Sequence, residues 1–173
     1  MKRLMLLIAV LMMIAAPAAM AADMKVGYVD LQKALNMSSA GKAAKEKMKA
    51  KFKDYDADVQ KKQEELKKLK DDLEKQAMLL SAEARAAKER DYQQKVKDYQ
   101  RLTKDIQEEL QQTDADFTRK ILEEIFKVVQ QIGKQEGYTL VLEKTESSIL
   151  YASDGIDMTD RVIQAFDRQG AGK

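Results

Sequence analysis

Cysteine, histidine and tryptophan are absent from this sequence, and proline occurs once, at Pro17. No disulfide can staple the fold. Zinc sites built on Cys or His, histidine-ligated haem, and Ser-His-Asp or Cys-His nucleophilic catalysis are excluded with them. Glycine is scarce as well, with seven residues and none between Gly41 and Gly133. A Gly-rich phosphate loop therefore has no place in the chain, and Gly27 before Tyr28 is no nucleotide motif. Carboxylates are plentiful. The pairs Glu64-Glu65, Asp71-Asp72 and Glu108-Glu109 are adjacent in sequence, however, so they do not share a helix face and give no glycosidase or metal signal. No catalytic constellation remains, so the expectation is that the protein is not an enzyme and uses no cofactor or metal.

A long hydrophobic run is also missing, except at the N-terminus. Lys2 and Arg3 precede the uncharged apolar stretch Leu4 to Ala16, which Pro17 interrupts. That stretch is shorter than the ~20 residues a spanning helix needs. Ala19 and Ala21 supply the small residues of a cleavage site, so residues 1–21 read as a signal peptide removed on export to the periplasm. No cysteine follows the run, which excludes a lipid-anchored product. Lys2 and Arg3 also account for the formal net charge of +2, leaving the rest of the chain balanced. A globally basic binder of nucleic acid or anionic membrane is therefore not expected, nor is stable membrane insertion.

What remains is rich in Ala, Lys, Glu, Gln and Leu, with 35% charged and 6% aromatic residues. Helix propensity is high throughout residues 42–132. Met48, Phe52, Tyr55, Val59, Leu66, Leu69, Leu73 and Leu80 follow a heptad seam, with Lys62 and Gln76 at two skipped positions. Tyr92, Val96, Tyr99, Ile106, Leu110 and Phe117 form a second seam, with Thr103 and Thr113 at its gaps. Between them lies Leu79-Leu80-Ser81-Ala82-Glu83. Ser81 can cap a new helix and Glu83 suits its first turn. A fold-back near residues 79–83 sets Leu66 against Val96, Tyr55 against Ile106 or Gln107, and Phe52 against Leu110, apolar facing apolar.

The ends read as strand and turn. Met24 to Asp30, Gly137 to Glu143 and Ile149 to Ser153 are expected strands, and Asp157 is placed to cap a short helix carrying Val162, Ile163 and Phe166. The expected fold class is α+β, mainly α, with residues 37–133 as a helical hairpin arm. Residues 22–36 and 134–173 make a small β-rich body. A body of this size lacks a self-sufficient core and exposes sheet edges, so it is expected to oligomerise.

Charge is uneven along the arm. Residues 42–53 hold six lysines against Glu46 alone, and residues 67–97 hold nine basic against six acidic side chains. The ordinary meaning of such runs is a solvated helix face. The sharper meaning is electrostatic capture of an acidic partner.

With these features in place, the chain resembles the Skp/OmpH family of periplasmic chaperones over its whole processed length. The resemblance rests on MKVGYVDLQKAL at Met24 to Leu35, SSAGKAA at Ser38 to Ala44 and the LLS bend at Leu79 to Ser81. GYTLVLEK at Gly137 to Lys144, ILYAS at Ile149 to Ser153 and DMTDRVI at Asp157 to Ile163 complete it. It implies a homotrimer whose strands form a barrel-like base, with three hairpins hanging around a cavity. It implies a partner too: unfolded outer-membrane β-barrel proteins, held without ATP against aggregation. Members of the family are typically basic, whereas this chain is neutral after processing, so no lipopolysaccharide or phospholipid site is carried over. On this reading Lys67, Lys68, Arg85 and Lys88 steer the client, and Met78, Leu79 and Leu80 touch it. The alternative is a structural coiled-coil scaffold of the cell envelope. An export-pump adaptor would need further β-rich domains, and a prefoldin-like cytosolic chaperone would not carry the N-terminal export signal.

Overall fold

A computed structural model describes residues 24–76 and 78–170. The expected signal peptide lies outside the described residues. The elements are β1 (Val26–Val29), α1 (Leu31–Met37), α2 (Ser39–Gln76), α3 (Ala82–Gln135), β2 (Leu140–Glu143), a 3-10 turn (Asp154–Ile156) and α4 (Thr159–Gly170). Helices α2 and α3, 38 and 54 residues long, run antiparallel and form the arm, as the two seams require.

The turn between them uses the residues that the sequence marks for it. Ser81 stands in extended conformation, and its hydroxyl accepts a hydrogen bond from the Ala84 amide at 3.3 Å. Glu83 occupies the first turn of α3. On the other side, the Leu79 and Leu80 amides close onto the Gln76 carbonyl at 2.9 and 3.1 Å, using an acceptor that the end of α2 leaves open. The register follows the apolar pairing. Phe52, Tyr55 and Val59 from α2 line one groove with Ile106 and Leu110 from α3, and Leu66 lies with Lys95, Tyr99 and Leu102.

The body is held by a parallel pair, Val26 beside Leu140 through Val29 beside Glu143. A parallel pair needs a crossover, and here the entire arm is that crossover. The other edge of β1 is taken by a bridge from Tyr28 to Asp157, with the Met158 amide donating to the Tyr28 carbonyl at 2.9 Å. Helix α4 follows, its start held by Asp157, whose Oδ1 accepts from the Thr159 amide at 2.8 Å. The core lies below this sheet: Val29, Ala34, Ile121, Ile125, Val128, Ile132, Met158 and Val162. All the buried residues of α3 belong to it, from Ile121 to Ile132, and α2 has none.

One expected strand is absent. Ile149 to Ser153 takes no strand pairing, and Leu150 and Tyr151 are 100% and 88% exposed. The sheet has two strands rather than three. β1 is occupied on both edges, and after the turn at residues 144–148 the chain does not return along the open edge of β2, so the segment has no ladder partner beside it.

Two glycines define opposite environments. Gly41 lies inside α2, where the helix start crosses α1, and a Cβ there would collide with the Leu35 carbonyl oxygen. Ser38 forms the joint between these helices; it is fully buried, its hydroxyl donating to the Leu35 carbonyl and accepting from the Gly41 amide, each at 3.2 Å. Helix α3, by contrast, continues past Gly133, and a Cβ there meets nothing within 4 Å. Gly137, with φ +70°, supplies the left-handed residue that stops it. Gly133→Ala is expected to raise stability by about 0.4–1 kcal/mol, and Gly41→Ala to lower it by about 1–3 kcal/mol. Urea denaturation followed by circular dichroism checks both signs.

Candidate functional site

Three surfaces are candidates for function. The first is the apex of the arm. The turn orders the backbone but leaves Met78 and Leu79 98% and 84% exposed, while Leu80 is half-buried against the seam. Arg85 and Lys88 lie on successive turns of α3, spaced to share a face. The Lys88 ammonium donates to Gln76 Oε1 at 2.6 Å and straps the two legs just below the turn. Lys67 and Lys68 are exposed on α2. They stand ~12–14 Å below its end by helical rise. The expected client-contact set thus divides: Met78, Leu79, Arg85 and Lys88 converge at the apex, and Lys67 and Lys68 sit lower on the other leg.

The second candidate is a polar clamp across the arm. The Lys51 ammonium lies 2.6 Å from Glu109 Oε1 and donates to Thr113 Oγ1 at 3.3 Å. It also stands 5.8 Å from the centre of the Tyr55 ring. The hydrogen bond from Lys51, joined by one from Tyr55, holds the Glu109 carboxyl below its ordinary range. The same carboxylate holds the Lys51 ammonium and the Tyr55 phenol above theirs, in each case chiefly by its hydrogen bond. Nothing in the heptad pattern announces this clamp, because Lys51 and Glu109 lie beside the seam positions rather than on them.

The third is in the body. A groove of about 410 Å³ is walled by Val29, Leu31, Phe126, Val129, Val141 and Leu142. Phe126 is half-exposed although it neighbours the core residue Ile125. The signal for it was present in the sequence: Leu122, Phe126 and Val129 form a second apolar stripe on α3, offset from Ile121, Ile125, Val128 and Ile132. A helix with two apolar stripes, one of them left open, has more apolar face than its own chain covers. Beside the core, Tyr138 is flanked by two cations, the Lys25 ammonium at 4.1 Å and the Arg161 guanidinium at 5.6 Å from the ring centre. Arg161 is itself fixed by Glu136 at 2.7 Å and by the Tyr138 hydroxyl at 2.7 Å, so this cluster is satisfied within the body. Among the described residues no group of acidic side chains is arranged to hold a metal ion, and no helix is long and apolar enough to cross a membrane.

Comparison with known proteins gives this geometry a context. Residues 25–166 match the family model "Outer membrane protein (OmpH-like)". The fold superposes on the crystal structure of an OmpH-like candidate outer membrane chaperone from Caulobacter crescentus CB15. The TM-score is 0.78 at 20% identity, covering 84% of this chain and 85% of that one. A search of curated proteins returned no significant match.

The clamp has a definite pH dependence. A carboxyl whose pKa is depressed by folding stabilises the folded state above its unfolded pKa, and that stabilisation is lost as pH falls through the folded value. Amide protection around residues 51–55 and 106–113, corrected for the intrinsic exchange rate at each pH, is therefore expected to fall as the solution is acidified below the ordinary glutamate range. Glu109→Gln should exchange faster at neutral pH and lose most of this acid dependence.

Proposed function

The chain belongs to the OmpH-like family, and on that premise we propose that it is an ATP-independent periplasmic holdase that binds unfolded outer-membrane β-barrel proteins and prevents their aggregation. The observation that carries this reading is the arm itself. It is two helices thick, none of α2 is buried, and two large apolar side chains are presented at its apex. An unfolded barrel strand alternates apolar and polar residues and has unpaired edges, so it aggregates unless other chains are kept away. Weak contacts from several thin, bendable arms give avidity without a tight site. The charge on the distal arm attracts the client, and Met78, Leu79 and Leu80 give it apolar contact.

Several arms require several chains, and we infer that the body associates with copies of itself as a homotrimer with a barrel-like base. Leu150 and Tyr151 lie fully in solvent, the outer edge of β2 is unpaired among the described residues, and the Phe126 groove is open. An exposed apolar segment, an open sheet edge and an uncovered groove in one small body are complementary needs. A scaffold of the cell envelope would share the hairpin and the association but would not hold clients.

Light scattering after dilution of a urea-denatured outer-membrane barrel protein separates the two. Suppression without ATP is expected; unimpeded aggregation supports the scaffold instead. Charge reversal at Lys67, Lys68, Arg85 and Lys88 together should slow capture about tenfold at low salt. Leu150→Asp with Tyr151→Asp should convert the assembly to monomers in sedimentation equilibrium, while a trimer that survives both changes would contradict the assigned interface.

A further inference from the structure

Residues 42–53 break a local rule of helix design. Lys42, Lys45, Lys49 and Lys53 follow the spacing of one helix face, where like charges repel. They begin in the first turns of α2, whose terminus is capped from α4 by the Asp167 carboxylate, which accepts from the Ser39 amide at 2.9 Å, so the dipole is met there while the row of lysines beyond it is not. Each of the four is exposed, and none has a carboxylate within ion-pair distance among the described residues. Glu46 is the one acid within residues 42–53, while Lys51 of the same run is held by Glu109. A local conflict left uncompensated within the chain marks a surface with a partner.

Alongside this stripe lies the one large apolar seam residue of α2 that the hairpin fails to cover. Phe52 is 60% exposed, although Met48, Tyr55 and Val59 on the same seam are half-buried. It forms the rim of an open groove of about 320 Å³ with Tyr55, Val59, Ile106 and Leu110. On the helical wheel Phe52 stands at the edge of the seam nearest Lys45 and Lys49. An apolar notch and a row of unpaired ammonium groups therefore share one face of the arm near the body.

We propose that this face is a docking site for an extended segment carrying aromatic side chains flanked by Asp or Glu. The stripe from Lys42 to Lys53 is ~16 Å long by helical rise, matching about five residues of extended chain at ~3.3 Å each. Successive side chains of such a segment turn to opposite sides, so aromatic rings set against Phe52 leave the flanking carboxylates outward, within reach of the long lysine side chains that rise beside the groove. The inference rests on the holdase reading and deepens it: the arm captures clients by this composition close to the body, and not at its apex alone.

Fluorescence anisotropy on the processed full-length protein tests it with three labelled peptides of equal length. One alternates Phe with Asp, one replaces Asp by Lys, and one replaces Phe by Ser. Wild type should bind the Phe-Asp peptide about tenfold more tightly than either control. Reversing Lys42, Lys45, Lys49 and Lys53 to Glu should weaken it about tenfold and flatten its salt dependence, and Phe52→Ser should weaken it severalfold. The milder Lys→Gln quadruple serves if the reversed protein loses helicity by circular dichroism. Reversal of Lys120, exposed on α3 outside both basic runs, should leave this affinity within about twofold. Equal binding of the Lys peptide, an unchanged affinity in the proximal quadruple, or equal displacement of the peptide by phosphatidylglycerol vesicles would overturn the proposal. A wild type that binds the peptide but fails to keep an unfolded barrel protein in solution would instead sink the holdase reading and leave the docking face standing.

Discussion

The arm depends on one constraint: two helices facing each other can bury only one stripe each. Every other residue on both helices faces water, which is why the composition is so heavily charged and why no side chain of α2 is fully buried. Burial of apolar area is the main source of stability, so the arm is held by a thin source spread over a great length. The gaps in that seam are filled by specific polar contacts, Lys51 with Glu109 and Thr113, and Lys88 with Gln76. Exposed ion pairs contribute little to stability. Their value here is register, because each fixes which turn of α2 meets which turn of α3. A limb of this kind is ordered but compliant, and a compliant limb can follow the irregular outline of an unfolded chain.

The body solves the opposite problem. Among the described residues all of the fully buried apolar side chains sit there, and α3 reaches from the apex into the core without a break while α2 stops at the Ser38 joint. The two legs are therefore anchored differently: one is continuous with the core, and the other is attached through α1 across a buried serine. Because β1 and β2 are separated in sequence by the whole arm, the parallel pair closes the loop at its base and ties the two legs together. Bending of the arm can occur without disturbing the sheet.

Much of this was legible in the residues. The heptad steps from Met48 to Leu80 and from Tyr92 to Phe117 specify the hairpin, and the bend at Ser81 selects its register among alignments a heptad apart. Asp157 as a cap and Val162 as a core residue follow from the same rules. Other features were not readable. Ile149 to Ser153 has the composition of a strand, but pairing is a property of neighbours, and the turn before it does not carry it back along the open edge of β2. Phe52 sits at a seam position and is nevertheless exposed, at the rim of an open groove, and a heptad pattern does not record how fully the facing helix covers each position. The Lys51 clamp is a contact between charged side chains beside the seam, and charge is so abundant on both helices that spacing alone could not single it out. Of the expected client-contact residues, the apex set coheres because the turn gathers it, whereas Lys67 and Lys68 were grouped with it by charge and lie lower on the arm.

The claim beneath all of this is that the chain doubles back at Ser81 in the stated register. Since it contains no native cysteine, spin labels placed at Lys61 and Arg101 would be its only thiol-linked probes. Helices in contact have axes ~8–10 Å apart, so pulsed electron paramagnetic resonance should give a separation below about 30 Å. A value near ~60 Å, the helical rise over that stretch of an unbroken rod, would contradict the account.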